Sequence, residues 1–534
     1  MVVERVKNGV KGQTALKVHN TITGEKEELK IENGVMKWYT CGPTVYDSSH
    51  IGHARSYILL DALRKTLTRY FGHTVTYIMN ITDIDDKIII KARESLDDIE
   101  LNKLDEEIKR LSITISDADL NTEDQKRIHI ATKNVSRKYE QEFFRDMAAL
   151  DIDLPTYTTR VSEYIEEIVR FAERIEEQGY AYVSNGSLYF DVRKYAQTKR
   201  YPLMCSTQNR QELLEEGEGK LTEDGKRSKE DFVLWKRSKA MEPAWASKWG
   251  AGRPGWHIEC SAMASNITGG RIDMHSGGID LMFPHHDNEI AQSEGAGLDN
   301  WVGHFLHTGH LHIDGFKMSK SLKNFIKIEE MLEKGTSREI RIMFLLQSYR
   351  GPMRYGLESL ERAKVVEKKI FRYIGLHLPQ KTPETTEETV NAVSPLGAEE
   401  RALLDLFDAK VIEIDSAIKD DFDFPKVFDL VIELITAAGK SEHPTINREI
   451  AQYIGQIMHV MGLETAEKTE SADVSQLVAT ISAFRNEIRG LAKASSAPKA
   501  YFVACDKLRS DLSSLGIVIE DGQTAEGSSI RRKC

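Results

Sequence analysis

The sequence predicts an α/β protein whose parallel-sheet core is split by a long insertion and followed by an all-α C-terminal helix bundle. Three observations carry this. Residues 35–80 read as strand, helix and strand; the same alternation resumes over 272–307; and beyond residue 395 the apolar spacing is helical throughout. With 534 residues the chain is too long for one core, so several domains are expected.

Each element follows from its residues. Val35 to Cys41 is rich in aromatic and β-favouring residues. Leu60, Leu63, Leu67, Tyr70 and Phe71 then recur at helical spacing up to Gly72, and Val75 to Met79 is a second strand. A βαβ unit this short seeds a parallel sheet. Residues 92–245 change character and read as the insertion. Leu96, Ile99, Leu104, Ile108 and Leu111 line one charged helix, and Tyr139, Phe143, Met147 and Leu150 line another. Ile165, Ile168, Phe171, Ala172 and Ile175 form an amphipathic stripe closed by Gly179. Asn185-Gly186 marks a hairpin, and the charged stretch 215–230 an exposed loop.

The core resumes over 246–310. A short strand at Ile272–His275 precedes a turn at Ser276-Gly277-Gly278, a helix starts near Pro284, and Val302–His307 is a further strand. The expected divisions are thus 18–91 and 246–310 for the two halves of the core, 92–245 for the insertion, and 311–378 for a loop with junction helices. Residues 379–395, rich in Thr, Glu and Pro, are expected as a linker, and 396–534 as a helical domain and tail. In the last, Val427, Leu430, Val431, Leu434 and Ile435 share one face, and Ile450, Tyr453, Ile454 and Ile457 another.

Hydrophobic residues make up 40% and charged residues 29%, an ordinary globular balance. No apolar run approaches the roughly 18 residues that a membrane span needs, and the N-terminus lacks a signal-peptide core, so a cytoplasmic protein is expected. A net charge of −11 argues against a generally basic nucleic-acid binder but leaves room for a local basic groove. Five cysteines in this length are no disulfide framework; they are free thiols or metal ligands.

His50-Ile51-Gly52-His53 lies between the first strand and the first helix, at the carboxyl end of a parallel strand, where open α/β sheets bind ligands. Free N–H groups at the helix start suit phosphate, Gly52 lets a flat base approach, and His50 and His53 share a face. A capping pair of surface histidines fits the motif equally well. Lys317-Met318-Ser319-Lys320-Ser321 follows the last strand; Lys317 and Lys320 can fold onto a triphosphate, although a solvated basic loop has the same pattern. Both motifs stand at strand ends, which favours a shared nucleotide site. Cys41, Cys260, His285 and Glu289 make an acceptable tetrahedral zinc set. Spacing alone equally allows inert buried cysteines and a helical His–Glu pair.

The two lysine- and histidine-containing motifs resemble the KMSKS and HIGH signatures of class I aminoacyl-tRNA synthetases. That resemblance implies a Rossmann-type core that activates an amino acid with ATP, as its Mg2+ complex, and passes it to tRNA. Cys41 to Asp47, Asn80 to Lys87, Gly252 to Cys260 and Phe283 to Glu289 are similar to cysteinyl-tRNA synthetases. By that resemblance Cys41, Cys260, His285 and Glu289 hold Zn2+, and Gly42, Thr82 and Trp256 contact L-cysteine. His50, Gly52, His53, Asp280, Lys317, Ser319 and Lys320 meet ATP, with His50, His53, Lys317 and Lys320 catalytic. The similarity runs over about 18–350, and Asp421-Phe422-Asp423-Phe424-Pro425 resembles the family's anticodon-binding helical domain. The added length around 94–135 is eukaryotic-like.

A substrate thiolate completing a zinc shell would separate cysteine from serine without an editing site. The tRNA(Cys) partner would meet Arg362, Lys364, Lys368, Lys369 and Arg372, which otherwise form a solvated helix face. The Arg531-Arg532-Lys533 end reads as a disordered tail or a minor tRNA contact. Two rivals remain in view: a cysteine ligase that makes a small thiol, and a non-catalytic synthetase-like binding protein. A zinc protease is excluded, since Ile290 stands where its second histidine belongs.

Overall fold

The computed structural model describes residues 15–95, 122–205, 225–313, 316–317, 325–378 and 397–464, with the backbone of 517–521 and 528–532. The chain forms two compact units, 1–463 and 464–534. The expected helix at 96–111, most of the loop 215–230 and the linker 379–395 lie outside the described residues.

The centre of the first unit is a five-stranded parallel sheet. Its strands are β3 (Val35–Thr40), β4 (Thr74–Ile81), β5 (Tyr157–Arg160), β10 (Ile272–Gly278) and β11 (Val302–Thr308), in the order β11-β10-β3-β4-β5. From β3 the chain adds β4 and β5 on one side, and after the insertion it adds β10 and β11 on the other. The order therefore reverses between β3 and β10, and such a switch point opens a crevice beyond the strands' carboxyl ends. Helix α1 (Ile51–Arg69) crosses from β3 to β4.

Around this sheet stand four smaller groups. The hairpin of β1 (Lys17–Asn20) and β2 (Glu25–Glu28) lies N-terminal to it. Helices α2 (Asp86–Glu94) and α3 (Glu123–Ala149) pack together. An antiparallel sheet is built from β6 (Ala181–Ser184), β7 (Ser187–Phe190) and β8 (Phe232–Arg237) of the insertion and from β9 (Gly252–Pro254), which lies past its expected end at residue 245. Asn185 and Gly186, both at positive φ, make its tight turn. Ile168, Phe171 and Ile175 of α4 (Ile165–Glu177) share a core with Leu188, Phe190, Leu234 and Trp235 of that sheet and with Ile258 and Met263 of α5 (Trp256–Thr268). Helix α6 (Asp287–Gly295) follows β10, and a third sheet joins β12 (Leu311–Ile313), β13 (Phe316–Lys317) and β14 (Met353–Tyr355).

The remaining helices are α7 (Ser337–Leu345), α8 (Leu357–His377), α9 (Ala398–Lys419), α10 (Phe424–Ala438) and α11 (Pro444–Val460). Thr336 and Glu339 cap α7 reciprocally, and Asp423 caps α10 with Pro425 in its first turn. These helices share one hydrophobic core with α1, through residues such as Leu63, Phe344, Ile370, Leu434 and Ile454. Asp421 adds a polar tie, accepting from the His19 amide at 2.9 Å and the Tyr349 hydroxyl at 2.6 Å.

Three expectations need correction. Tyr157–Arg160 pairs in register with Ile78–Ile81, so a stretch assigned to the insertion is the edge strand of the core sheet. Four residues are too few to show a period. Ser276-Gly277-Gly278 is not a turn but the end of β10, held by parallel pairing to Leu306, His307 and Thr308. In the second unit, β15 (Ile517–Asp521) and β16 (Ser528–Arg532) form an antiparallel hairpin, which places Arg531 and Arg532, expected in a disordered tail, in a strand. The β-branched Ile517, Val518, Ile519 and Ile530 favour that outcome.

One buried ion cluster joins α1 to α7. Asp61 lies 3.0 Å from Arg64, 2.7 Å from Lys65 and 2.8 Å from Arg341. Burial alone would raise the Asp61 carboxyl, but Arg341, Lys65 and Arg64 outweigh it and hold the carboxyl below its usual value. Its stabilising effect is therefore present above an ordinary aspartate pKa of about 3.9 and is lost as pH falls through the lower folded value. Asp61→Asn, which takes the carboxylate from Arg341 and leaves Arg64 and Lys65 only the exposed Asp153, is expected to cost about 3–5 kcal/mol, measured as a lower urea midpoint at neutral pH. The gap to the native protein should narrow in acid.

Candidate functional site

The crevice at the switch point holds a fully buried donor cluster. Cys41 follows β3 directly; Cys260 lies in α5; His285 lies in the wide helical turn Met282–His286, and Glu289 lies one turn on in α6. One ligand atom from each of the four falls within 4.8 Å of the others. Cys41 Sγ is 3.8 Å from Cys260 Sγ and 3.8 Å from Glu289 Oε1, and His285 Nε2 is 3.0 Å from the same oxygen.

The charges are set by this crowding. Burial pushes the Cys41 thiol well up. Its hydrogen bond to Cys260 pulls that second thiol down to about 6, against burial. Burial would lower His285, but Glu289 and Cys260 outweigh it and raise the ring to about 10. Burial would raise Glu289, but His275 and His285 bring it to about 2. Two sulfurs, an imidazole and a carboxylate held this close and away from water are donors that a cation could share.

The donors fit a tetrahedral metal ion. Two sulfurs bonded to one zinc at about 2.3 Å each stand about 3.8 Å apart in a tetrahedron, which is the Cys41–Cys260 spacing. A disulfide would need about 2.05 Å, and both cysteines are free. The Trp256 ring stacks on His285 with centroids 4.5 Å apart. Beside Cys41, the Gly42 amide donates to Asn80 Oδ1 at 2.9 Å. Asn80 donates to the Thr82 hydroxyl at 3.3 Å, and that hydroxyl donates to the buried Glu259 at 3.3 Å. Gly42, Thr82 and Trp256 are thus held close to the donor cluster or its immediate neighbours.

The histidine motif caps α1. The His53 amide donates to His50 Nδ1 at 3.3 Å, the His50 amide donates to His53 Nδ1 at 3.5 Å, and the two rings stack 3.7 Å apart. Gly52 is the second residue of the helix. Tyr57 of the same helix donates to the Cys41 carbonyl at 3.4 Å and so links the cap to the donor cluster. The backbone after the lysine motif returns here, because the Ile51 amide donates to the Ile326 carbonyl at 2.9 Å and His50 bridges Lys327. On the other side of that motif, the backbone of Lys317 pairs with His312 in the β12–β13 hairpin. Ser319 and Lys320 lie outside the described residues. Asp280 is exposed just beyond β10, with Oδ1 4.0 Å from His310 Nδ1.

Residues 27–365 match the family described as tRNA synthetases class I (C) catalytic domain. The cysteine–tRNA ligase of Encephalitozoon cuniculi is 39% identical over 97% of this chain and 99% of its own length. The cytoplasmic cysteine–tRNA ligase of Dictyostelium discoideum is also 39% identical, over 95% of this chain and 76% of its own length. The chain belongs to the cysteine–tRNA ligase family. The fold is shared with a solved arginyl-tRNA synthetase of Campylobacter jejuni, at a TM-score of 0.54 and 13% identity over 81% of this chain and 94% of that one. It is shared too with Mycobacterium tuberculosis methionyl-tRNA synthetase, at a TM-score of 0.51 and 14% identity over 80% and 89%. The expected Rossmann-type core with C-terminal helices is therefore present.

Sequence reasoning about this ligase-family chain missed a second group of donors. Cys41 and Glu289 also fall within 4.8 Å of His275 and His286. His286 had a visible signal, since it stands three residues before Glu289 just as His285 stands four before it. His275 had none: it is one alternate position of a buried strand. Asn80 and Glu259 were likewise unmarked.

Gly42 permits one close approach. A Cβ there would sit 1.7 Å from the Asn80 carbonyl oxygen, a backbone atom that cannot move aside. Gly42→Ala is expected to cost about 1–3 kcal/mol of stability, read as a lower denaturation midpoint than the native chain's. An unchanged midpoint would show that β3 and β4 can part at this point without loss.

Proposed function

We propose that the chain activates L-cysteine with ATP to cysteinyl-adenylate and transfers the cysteine to tRNA(Cys), with Cys41, Cys260, His285 and Glu289 holding Zn2+. The observation that supports this most is the buried pair of thiols 3.8 Å apart, completed by an imidazole and a carboxylate, beside the capped His50–His53 pair. When bound, zinc favours the thiolate of the substrate over its thiol, which a serine hydroxyl cannot match.

The chain's own residues supply the rest. Gly42 and Thr82 border the donor cluster and position the amino acid, and Trp256 covers it from the His285 side. His50 and His53 each accept a backbone N–H at Nδ1, so each neutral ring carries its proton on Nε2 and offers that N–H to a phosphate. Gly52 leaves room for the base, and Asp280 stands at the rim beside the adenylate. Lys317, Ser319 and Lys320 meet the triphosphate, which enters with Mg2+, and the chain just after them is bonded to Ile51 through the Ile326 carbonyl. On α8, Arg362, Lys368, Lys369 and Arg372 are exposed and Lys364 is half-buried against Glu361, a distribution that suits tRNA phosphates. A cytoplasmic location fits the names of the Dictyostelium and Drosophila relatives.

The test is cysteine-dependent ATP–pyrophosphate exchange, with serine as control and tRNA(Cys) charging in parallel. Exchange should favour cysteine by on the order of 10⁴-fold, and charging should follow. Exchange without charging would point to a ligase making a small thiol, and no exchange by zinc-replete protein to a non-catalytic relative. His285→Ala should lose zinc and cysteine activation together; normal activation without zinc would remove the metal from the reading.

Zinc binding should also depend on pH with a definite sign. Cys41, whose thiol burial pushes up, must release its proton as the metal enters. Affinity measured by chelator competition is expected to rise between about pH 6 and about pH 8, with proton release detected by calorimetry in buffers of different ionisation enthalpy.

A further inference from the structure

Three polar groups behind the donor cluster have no part in the function proposed above. His286 Nε2 lies 3.4 Å from Cys41 Sγ, and its Nδ1 lies 2.7 Å from His307 Nε2. His307 Nδ1 in turn lies 2.9 Å from the hydroxyl of Thr21, which follows β1. Both histidines are buried, and Thr21 is half-buried.

The chemistry of the sulfur sets the direction of all three hydrogen bonds. A thiolate only accepts, so when Cys41 is a ligand His286 must donate from Nε2. The neutral ring then accepts at Nδ1, which requires His307 to donate from Nε2. His307 accepts at Nδ1, and the Thr21 hydroxyl donates. Had His286 been a ligand itself, its Nε2 lone pair would face the metal and every bond in the chain would run the other way. Two features favour the first arrangement. The Cys41–Cys260 spacing already matches a two-thiolate site. His286 Nε2 also lies closer to Cys41 Sγ, at 3.4 Å, than to Glu289 Oε1, at 3.9 Å.

We infer that His286, His307 and Thr21 form an outer hydrogen-bonded chain that orients the Cys41 thiolate as a metal ligand, with His286 as an N–H donor to sulfur and not as a ligand. This rests on the zinc reading proposed above. The three are positioning residues, and the chain anchors the Cys41 end of the cluster to the first hairpin. Outer partners of this kind typically change metal affinity by about 10- to 100-fold.

The experiment compares zinc affinity by chelator competition with the thiolate-to-cobalt absorption of the Co2+-substituted protein. His286→Leu should weaken zinc about 10- to 100-fold and shift the cobalt band while keeping its two-thiolate intensity. His286→Gln, whose amide can still donate to sulfur, should recover part of both. Thr21→Val removes only the far hydroxyl and keeps the backbone bond from Thr21 to the Phe305 carbonyl; it should move both readouts in the same direction by less, and it carries the test if His286→Leu fails to fold. Native affinity and an unshifted band in both Thr21→Val and His286→Leu would overturn the inference. So would loss of all metal in His286→Leu while Cys260→Ser keeps it, because His286 would then be a ligand. Wild-type protein that takes up neither zinc nor cobalt would overturn the zinc reading and this inference with it, an outcome distinct from the other two.

Discussion

The Cys41 amide donates to the Ser276 carbonyl at 3.0 Å and closes the parallel ladder between β3 and β10. Trp38 Nε1 reinforces the same junction with a 2.8 Å bond to the Ser276 hydroxyl, inside the core. This pairing joins strands that the whole insertion separates in sequence. It also fixes the switch point of the sheet, and so decides which side chains share the crevice. The register sets His275 opposite Tyr39 and Ser276 opposite Thr40, which delivers Cys41 beside the carboxyl end of β10. A slip of one residue would turn every side chain of β10 to the opposite face and take His275 away from Glu289. The donor cluster is thus a property of one strand pairing before it is a property of any ligand.

That cluster is an unfavourable thing to bury. Two thiols, a carboxylate and three imidazoles lie within a few ångströms and away from water. The protein tolerates this because each partner offsets another. Glu289 accepts from His275 at 2.8 Å on one oxygen and faces His285 at 3.0 Å on the other, so neither side of the carboxylate is left without a proton donor. If zinc occupies the cluster as proposed, the same dryness lets a desolvated cation distinguish a thiol from a hydroxyl by the ease with which each gives up a proton.

Legibility in the sequence followed from range of interaction. Helix α1, the stripe of α4 and the Asn185-Gly186 hairpin obey local rules of period, capping and turn, and they formed as their residues dictated. Cys41, Cys260, His285 and Glu289 were singled out from spacing and family likeness, and the fold gathers them into one volume. What stayed hidden was decided by long-range pairing. Four-residue β5 has no signature apart from its register on β4. Ser276-Gly277-Gly278 carries turn residues, yet parallel pairing on both sides keeps it extended as far as Ser276, and β11 keeps it extended to Gly278. His275, His307 and Thr21 gain meaning only once β1, β10 and β11 are side by side.

The insertion is part of the site and not an ornament on it. Its β8 pairs with β9, which runs directly into α5, so the antiparallel sheet aims the helix that carries Trp256, Glu259 and Cys260. The join is tight. The Gly255 amide donates to the Leu234 carbonyl at 3.0 Å, and a Cβ at Gly255 would stand 2.1 Å from the Val233 carbonyl oxygen. Only glycine lets β8 approach that closely, and the approach sets where α5 begins. A buried ion cluster then locks this sheet to the core: Arg253 of β9 lies 2.7 Å from Asp86 at the start of α2, and Lys236 of β8 lies 3.1 Å from the same carboxylate. Asp86 follows the strand that ends at Ile81, and stands four residues after Thr82. The β4 and α5 walls of the crevice are therefore tied twice, through Asp86 and through the bond from the Thr82 hydroxyl to Glu259. These ties hold α5 against the β4 side of the split core, and Cys260 of that helix comes to 3.8 Å from Cys41.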